Sequence, residues 1–207
     1  MTSPKFSGIS EVSASRRSFI CFFGMVISLP VASASTTNAA GGTTRADYRY
    51  SGLRTSADGR GLLGFSEVRF TDSQTGITAS TTLRQDWPYV GLRAASRSAQ
   101  SSGALLKQAR NTLGCTNPAS GAPCTVAAGN RYFPFVSQSV ESGVDLNGAA
   151  LPTVTTSTNY DPFGNATSVT VSTGDGHAKT TTNTYSNDAA NWLLGRLVRS
   201  TVQSTAP

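Results

Sequence analysis

Apolar and polar residues alternate along most of this chain after about residue 40, in short runs separated by Gly, Asn, Asp and Pro. Examples are residues 47–50 (DYRY), 67–71 (EVRFT) and 169–171 (VTV), and the flanks of residues 104–113 (ALLKQARNTL) favour a strand there too. A period of two indicates half-buried antiparallel strands, and short spacers indicate hairpins. The pattern therefore predicts a mainly β fold, an antiparallel hairpin array, with an apolar helix only near the N-terminus.

The composition agrees with strands and turns. The chain has 207 residues, of which 38% are hydrophobic and 14% are charged, and it is rich in Thr, Ser, Gly and Asn. Its formal net charge of +6 comes from 17 basic and 11 acidic residues, but no run of Lys or Arg extends beyond Arg16-Arg17. A nucleic-acid surface needs clustered basic residues with interleaved aromatics, so we expect no nucleic-acid partner.

Residues 1–34 have the three parts of an export signal. Arg16-Arg17 precede the apolar run 19–34 (FICFFGMVISLPVASA), which closes in small residues. The run is too short for a stable membrane span. A gene start foreign to the protein explains the same pattern, and both interpretations stay open. With a genuine signal, we expect a protein that is secreted or held in a bacterial cell envelope, and residues 35–47 form a linker.

Two of the three cysteines lie in one turn-rich segment. Cys115 and Cys124 flank residues 116–123 (TNPASGAP), whereas Cys21 lies in the apolar N-terminal run. Export favours a local disulfide between Cys115 and Cys124, and two free thiols are the alternative. His177 is the only histidine, and no spacing typical of zinc ligands occurs, so no metal or other cofactor is expected. No P-loop, GxSxG or HExxH motif occurs either, so no catalytic residue is assigned.

Four blocks of sequence carry recognisable motifs. Residues 160–167 read YDPFGNAT, and Tyr185 begins a similar step from strand into polar turn residues. Residues 192–197 read WLLGRL, residues 59–65 read GRGLLGF, and residues 85–91 read QDWPYVG. A tyrosine repeated at successive hairpin steps allows rings to pack across neighbouring strands.

These blocks, in the order in which they follow one another along the chain, resemble the RHS/YD-repeat family, in particular its SpvB-like and toxin-complex B component branch. The resemblance covers roughly residues 40–202. It divides the chain into residues 48–151, which precede the repeats, residues 152–203, which form YD-repeat-like hairpins, and a tail at 204–207. The positions to which it gives structural roles are Tyr160, Asp161, Gly164, Asn165, Tyr185, Trp192, Gly195, Arg196, Gly59, Arg60, Gly61 and Phe65.

The resemblance implies a β-sheet strip that forms part of a hollow shell and has no catalytic role of its own. Full shells in the family are several times longer, so we expect a fragment whose partners are further repeats or shell subunits. Unpaired strand edges favour self-association. The alternative is a secreted or cell-surface module that binds its partner through an exposed sheet.

Overall fold

The structure is a computed structural model that describes residues 29–37, 43–127, 130–145 and 147–207. These residues form thirteen β-strands and no helix, which confirms the predicted mainly β fold. No helix capable of crossing a membrane occurs in those ranges.

The strands follow one another along the chain with short connections. They are β1 (Leu29–Thr37), β2 (Thr43–Ser51), β3 (Arg54–Ser56), β4 (Gly61–Gly64), β5 (Glu67–Asp72), β6 (Thr78–Leu83), β7 (Arg93–Ala99), β8 (Leu105–Thr116), β9 (Phe133–Gly143), β10 (Val154–Tyr160), β11 (Ala166–Thr173), β12 (Ala178–Asp188) and β13 (Leu193–Thr205). The segment 104–113, predicted as strand, lies almost entirely within β8.

Eleven of these strands form one sheet whose spatial order is the order of the chain. The sequence of neighbours is β1-β2-β5-β6-β7-β8-β9-β10-β11-β12-β13, and every neighbouring pair is antiparallel. Ten of the eleven begin at or after Thr43. Strands β3 and β4 pair only with each other and form a small hairpin. This hairpin lies between β2 and β5 along the chain, although β2 and β5 pair directly in the sheet. The fold is therefore a meander with one side hairpin.

The strand register gives the sheet two different faces, because directly opposed residues of antiparallel strands point to the same side. One side, which we name the apolar face, carries Tyr48, Tyr50, Val68, Phe70, Val154, Val169, Val171 and Val202. The same side also carries three charged residues, Lys107, Glu141 and Lys179. The other, the polar face, carries Arg49, Arg69, Arg97, Arg110, Thr170, Thr180 and Arg199. The alternation seen in the sequence thus sorts side chains between two faces.

Neither face is covered by a second layer within the described residues. Within residues 43–127, 130–145 and 147–207, only Pro88 and Cys115 are buried, and most strand residues are half-buried by their neighbours in the sheet. Packing therefore occurs between adjacent strands, as in the Tyr48–Phe70 ring pair, whose centroids are 5.4 Å apart. On the polar face, the hydroxyl oxygens of Thr170 and Thr180 lie 3.1 Å apart across β11 and β12. Cross-strand pairs of this kind are the main source of side-chain stabilisation in such a sheet.

Two predicted segment boundaries can be compared with the strands of the described residues. The linker expected at 35–47 is strand at 35–37 and again from Thr43. The border between residues 151 and 152 does not interrupt the sheet, because β9 and β10 pair across it. The predicted export signal and N-terminal helix concern residues 1–34, and of these, residues 1–28 lie outside the described residues, while 29–34 belong to β1.

Alternating strand direction divides the connections between two ends of the sheet. The long-loop end carries residues 52–66, 84–92, 117–127, 130–132, 161–165 and 189–192. The short-turn end carries residues 73–77, 100–104, 144–145, 147–153 and 174–177. All four motif blocks fall at the long-loop end, because each lies at or beside one of its connections.

Candidate functional site

The turn between β10 and β11 is organised by the carboxylate of Asp161. Its Oδ1 accepts hydrogen bonds from the backbone N–H groups of Phe163 (2.9 Å) and Asn165 (2.8 Å). The backbone of Gly164 closes the turn by donating to the carbonyl of Asp161, at 3.0 Å. Gly164 has φ of 86°, a left-handed conformation that glycine adopts at no steric cost. The sequence DPFGN thus encodes a turn closed by its own first side chain.

The second carboxylate oxygen of Asp161 connects this turn to the next hairpin. Asp161 Oδ2 accepts from Asn165 Nδ2 (2.9 Å) and from Asn187 Nδ2 (3.1 Å), and Asn187 belongs to β12. Asn187 Oδ1 in turn accepts from the backbone N–H of Gly195 on β13, at 2.8 Å. We name these four residues, Asp161, Asn165, Asn187 and Gly195, the carboxylate–amide network. It joins β10, β11, β12 and β13 at the long-loop end.

Gly195 is required at its position for two reasons. Its φ is 70°, and a Cβ added there would lie 2.9 Å from Asn165 Oδ1. A side chain would therefore meet both backbone strain and a member of the network. The glycine lets β13 approach close enough for its N–H to reach Asn187.

Replacing Gly195 by alanine is expected to destabilise the C-terminal hairpins by about 1 to 2 kcal/mol, through the left-handed backbone and the crowded Asn165 amide. Urea unfolding of the purified chain measures the loss. Gly121→Ala is the matched control, because Gly121 has φ of 68° and nothing within 4 Å of an added Cβ. An equal loss in the two variants would show that crowding against Asn165 contributes nothing.

The network also holds the pKa of Asp161 below its ordinary value. Partial burial raises this pKa. Hydrogen bonds from the Asn165 side chain and backbone, from Asn187 and from Phe163 together lower it by more than burial raises it. The carboxylate is therefore ionised in the folded chain, with both oxygens engaged by neighbouring N–H groups. Such a group stabilises the turn as an acceptor.

Acid is expected to weaken the C-terminal hairpins through this group. Because the pKa of Asp161 is lower in the folded chain than in the unfolded chain, its contribution is complete above a pH of about 4 and disappears as the pH falls through the folded pKa. Amide hydrogen exchange in β10–β13, followed from pH 5 downward and corrected for the intrinsic rate, measures the change. Asp161→Asn should give a flatter pH dependence, and an unchanged dependence in this variant would contradict the assignment.

Aromatic rings pack beside the same turn. The ring of Tyr160 lies 5.7 Å from that of Phe133 and 5.0 Å from that of Phe135, and the two phenylalanine rings stack at 5.3 Å. The Phe135 ring covers Gly114 on β8, where an added Cβ would be only 2.7 Å from it. This cluster continues the connection between hairpins from β10 back to β8. Tyr185 lies apart from it, opposite Leu197 in the β12–β13 pair.

The glycine-rich block forms the tip of the β3–β4 hairpin. Gly59 and Gly61 both have φ of 77°, and the guanidinium of Arg60 between them lies 4.8 Å from the ring centre of Trp87. Trp87 in turn meets the ring of Tyr132 edge-on at 5.6 Å. A cation over an indole face is favourable even at an exposed site. The block therefore contacts the loop that carries Trp87, and Trp87 connects it to the loop that ends in Tyr132.

A single glutamine anchors the base of this side hairpin. Gln85 Nε2 donates to the carbonyl of Gly52 (2.5 Å), which precedes β3, and to that of Gly64 (2.7 Å), the last residue of β4. Phe65 packs beside Gly64, with its ring 5.1 Å from that of Tyr50 on β2. These contacts fix the hairpin against the main sheet.

Cys115 and Cys124 are joined by a disulfide. It closes the first part of the loop that follows β8, and the backbone N–H of Cys124 also donates to the carbonyl of Cys115 at 3.0 Å. Cys115 is 8% exposed, so the bond sits at one of the most sheltered points of the described chain. The loop continues to Tyr132, which packs on Trp87.

Two of the resemblance positions lie at the edge strand without joining the network. Trp192 is 79% exposed and has φ of 55°, which is rare for a bulky residue. Arg196 lies opposite Ser186 in the β12–β13 pair. Both positions accompany Gly195 at the start of β13.

The one histidine of the chain pairs with a carboxylate at the short-turn end. The imidazole Nδ1 of His177 is 3.1 Å from Asp175, and hydrogen bonds from Thr173 and then His177 lower the pKa of Asp175 to about 2. Both side chains are exposed, and their bonds stay within the β11–β12 turn. No group of three or more His, Cys, Asp or Glu residues suited to a metal ion occurs in the described ranges.

Sequence reasoning missed Asn187, Gln85 and Tyr132 as contact residues. Asn187 had a signal, because it follows Tyr185 by two positions in a step that repeats Tyr160-Asp161. Gln85 had one as well, because it begins the block 85–91, but nothing in the sequence indicated its partners Gly52 and Gly64. Tyr132 had none, since its partner Trp87 lies in a loop far away along the chain. No family model matches the chain, and no curated protein matches its sequence.

Proposed function

We propose that this chain is a non-enzymatic structural segment of a secreted shell protein of the RHS-repeat, toxin-complex type. The observation that carries the proposal is the carboxylate–amide network, which uses the YD-type motif residues to join successive hairpins of a single-layer strip. Asp161 is engaged by four N–H groups of its own chain. A group in that position supports a sheet wall better than it supports proton transfer to a substrate.

The architecture supports the same role. A sheet whose strands follow in chain order can be lengthened by adding hairpins, because each strand contacts only its immediate neighbours. Its two unlike faces suit a wall that separates two environments. The turn contacts at the long-loop end give adjacent hairpins a defined relative position.

The experiment compares stability and binding in the same variants. For a wall segment, Asn187→Ala should unfold at lower urea concentration than the wild type, and the wild-type chain should bind no member of a glycan panel saturably. Thr125→Ala is a control, since Thr125 lies in an exposed loop away from the network. Unchanged stability of Asn187→Ala, together with saturable glycan binding, would contradict the structural role.

The polar face favours a second candidate function, that of a surface module for an anionic glycan. Arg49 lies directly opposite Arg69, and Arg97 belongs to the same cross-strand row. Like charges directly opposite each other are destabilising, so an anionic partner would relieve the repulsion. Arg69 is paired with Glu67 at 3.1 Å, which leaves Arg49 and Arg97 as the residues to test.

A sulfated polysaccharide column tests this candidate. Arg49→Gln combined with Arg97→Gln should elute at lower salt than the wild type, whereas Arg131→Gln combined with Arg54→Gln, which removes the same charge from a loop and from the side hairpin, should change elution less. Equal shifts in the two double variants would indicate a net-charge effect and reject the site.

A further inference from the structure

The C-terminal edge of the sheet is long, regular and exposed. Strand β13 pairs with β12 on one side, and no described strand lies along its other side. Its pairing with β12 is regular from Arg199 to Thr205, after register shifts nearer its start. An edge of this kind presents unpaired backbone N–H and C=O groups to another strand.

The side chains of β13 do little to protect that edge. Its sequence LLGRLVRSTVQST contains no proline and no acidic residue. Val202 is 58% exposed and lies on the apolar face, in the middle of the regular part. Proteins usually blunt such edges with charges, proline or bulges, and the regular part of β13 has only Arg199.

Strand direction indicates whether β13 pairs better with β1 or with β13 of a second copy. The first and eleventh strands of an alternating sheet, β1 and β13, run in the same direction. Two copies stacked in the same orientation would therefore join β13 to β1 as a parallel pair, which is slightly less stable than an antiparallel pair. A two-fold axis perpendicular to the sheet instead joins β13 to β13 as an antiparallel pair, and it keeps the two apolar faces on the same side.

The charges on β13 select a register. Centring the two-fold on Arg199 would place like charges directly opposite each other, which is unfavourable. Centring it on Val202 pairs the whole regular part with itself, with Arg199 opposite Thr205 and valine opposite valine. That register has no like-charge pair and places the exposed apolar side chain at the centre.

We propose that the chain forms a two-fold symmetric dimer in which β13 pairs antiparallel with β13 of a second copy, with Val202 on the axis. The contact is closed, because the same strand is used on both sides. It forms one continuous antiparallel sheet from the two copies. This inference is argued from the edge, its charges and its direction alone, and within the proposed function it makes a second copy of this chain the neighbour of β13.

Light scattering of the purified full chain tests the dimer. The expected mass is twice 21.5 kDa at micromolar concentration. Val202→Lys places two ammonium groups opposite each other and should raise the dimer dissociation constant about tenfold or more. Leu62→Lys is the matched control, because Leu62 is 64% exposed on the side hairpin. A monomeric wild type, open-ended association, or a dimer insensitive to Val202→Lys would each overturn the proposal.

Cross-linking tests the register even if the lysine variant folds poorly. In a Cys21→Ser background, Val202→Cys should form an intermolecular disulfide under mild oxidation, because residue 202 lies opposite residue 202 of the second copy. Ser204→Cys is the control, since residue 204 faces residue 200 of the second copy and has no thiol opposite it. Non-reducing gels should show a covalent dimer for Val202→Cys alone. Equal cross-linking of both variants, or of neither, would reject this register.

Discussion

Replacing Asp161 by alanine is expected to destabilise the last four strands by about 3 kcal/mol, more than any other single substitution within the carboxylate–amide network. The change removes the acceptor of four hydrogen bonds, two from backbone N–H groups of its own turn and two from the side chains of Asn165 and Asn187. Each bond contributes somewhat under 1 kcal/mol net, because all are partly accessible to water. Asn187 also loses a partner that orients it toward Gly195.

Amide hydrogen exchange is the suitable measurement, since the effect should be local. Strands that contact only their neighbours unfold in parts, so protection in β10–β13 should fall roughly a hundredfold while β2–β7 keep theirs. Asp175→Ala is the control, because the bonds of Asp175 stay within one exposed turn. A uniform loss of protection along the whole sheet, or none in β12, would contradict the bridging role of Asp161.

Removing the disulfide by Cys115→Ser together with Cys124→Ser is expected to destabilise the middle of the sheet by about 2.5 kcal/mol. The bond closes a short loop across a sequence separation of 9, and constraint of the unfolded chain gives a value of this order. Loss of the constraint also frees the loop that delivers Tyr132 to Trp87. The effect should therefore reach the Arg60 contact in the side hairpin.

Tryptophan fluorescence and urea unfolding together check this prediction. The double variant should unfold at lower urea concentration, and the emission of Trp87 should shift toward that of a solvated indole. Trp192 contributes a constant background, since it is already 79% exposed. Reduction of the wild-type chain should reproduce both changes. If reduction lowered stability but left the emission unchanged, the loop would not depend on the disulfide for its contact with Trp87.

Much of the fold could be predicted from the sequence because a period of two is a local signal. Runs such as 67–71 fix both the strand and the face on which Val68 and Phe70 lie. Glycine and Asx residues in the connections fix the turns, as Asp161 and Gly164 do between β10 and β11. These features depend on residues close together in the chain, so they are readable without the structure.

The contacts between hairpins could not be predicted in the same way. The hydrogen bond between Asp161 and Asn187 depends on the register of β11 with β12. No residue in these strands indicates that register from the sequence alone. The Arg60–Trp87 contact depends on the position of a side hairpin relative to a loop two strands away. Sequence motifs therefore indicated most of the positions at the long-loop end, while the structure supplied their partners.

The chain order of the sheet has a mechanical consequence. Because β13 lies at one edge and touches only β12, tension applied to the C-terminus acts on one ladder of hydrogen bonds at a time. Under such a pull the strands should detach one after another, β13 first and then β12, in a series of small extension steps. The carboxylate–amide network is expected to resist the earliest of these steps, because it is the point where the last hairpins are fastened together.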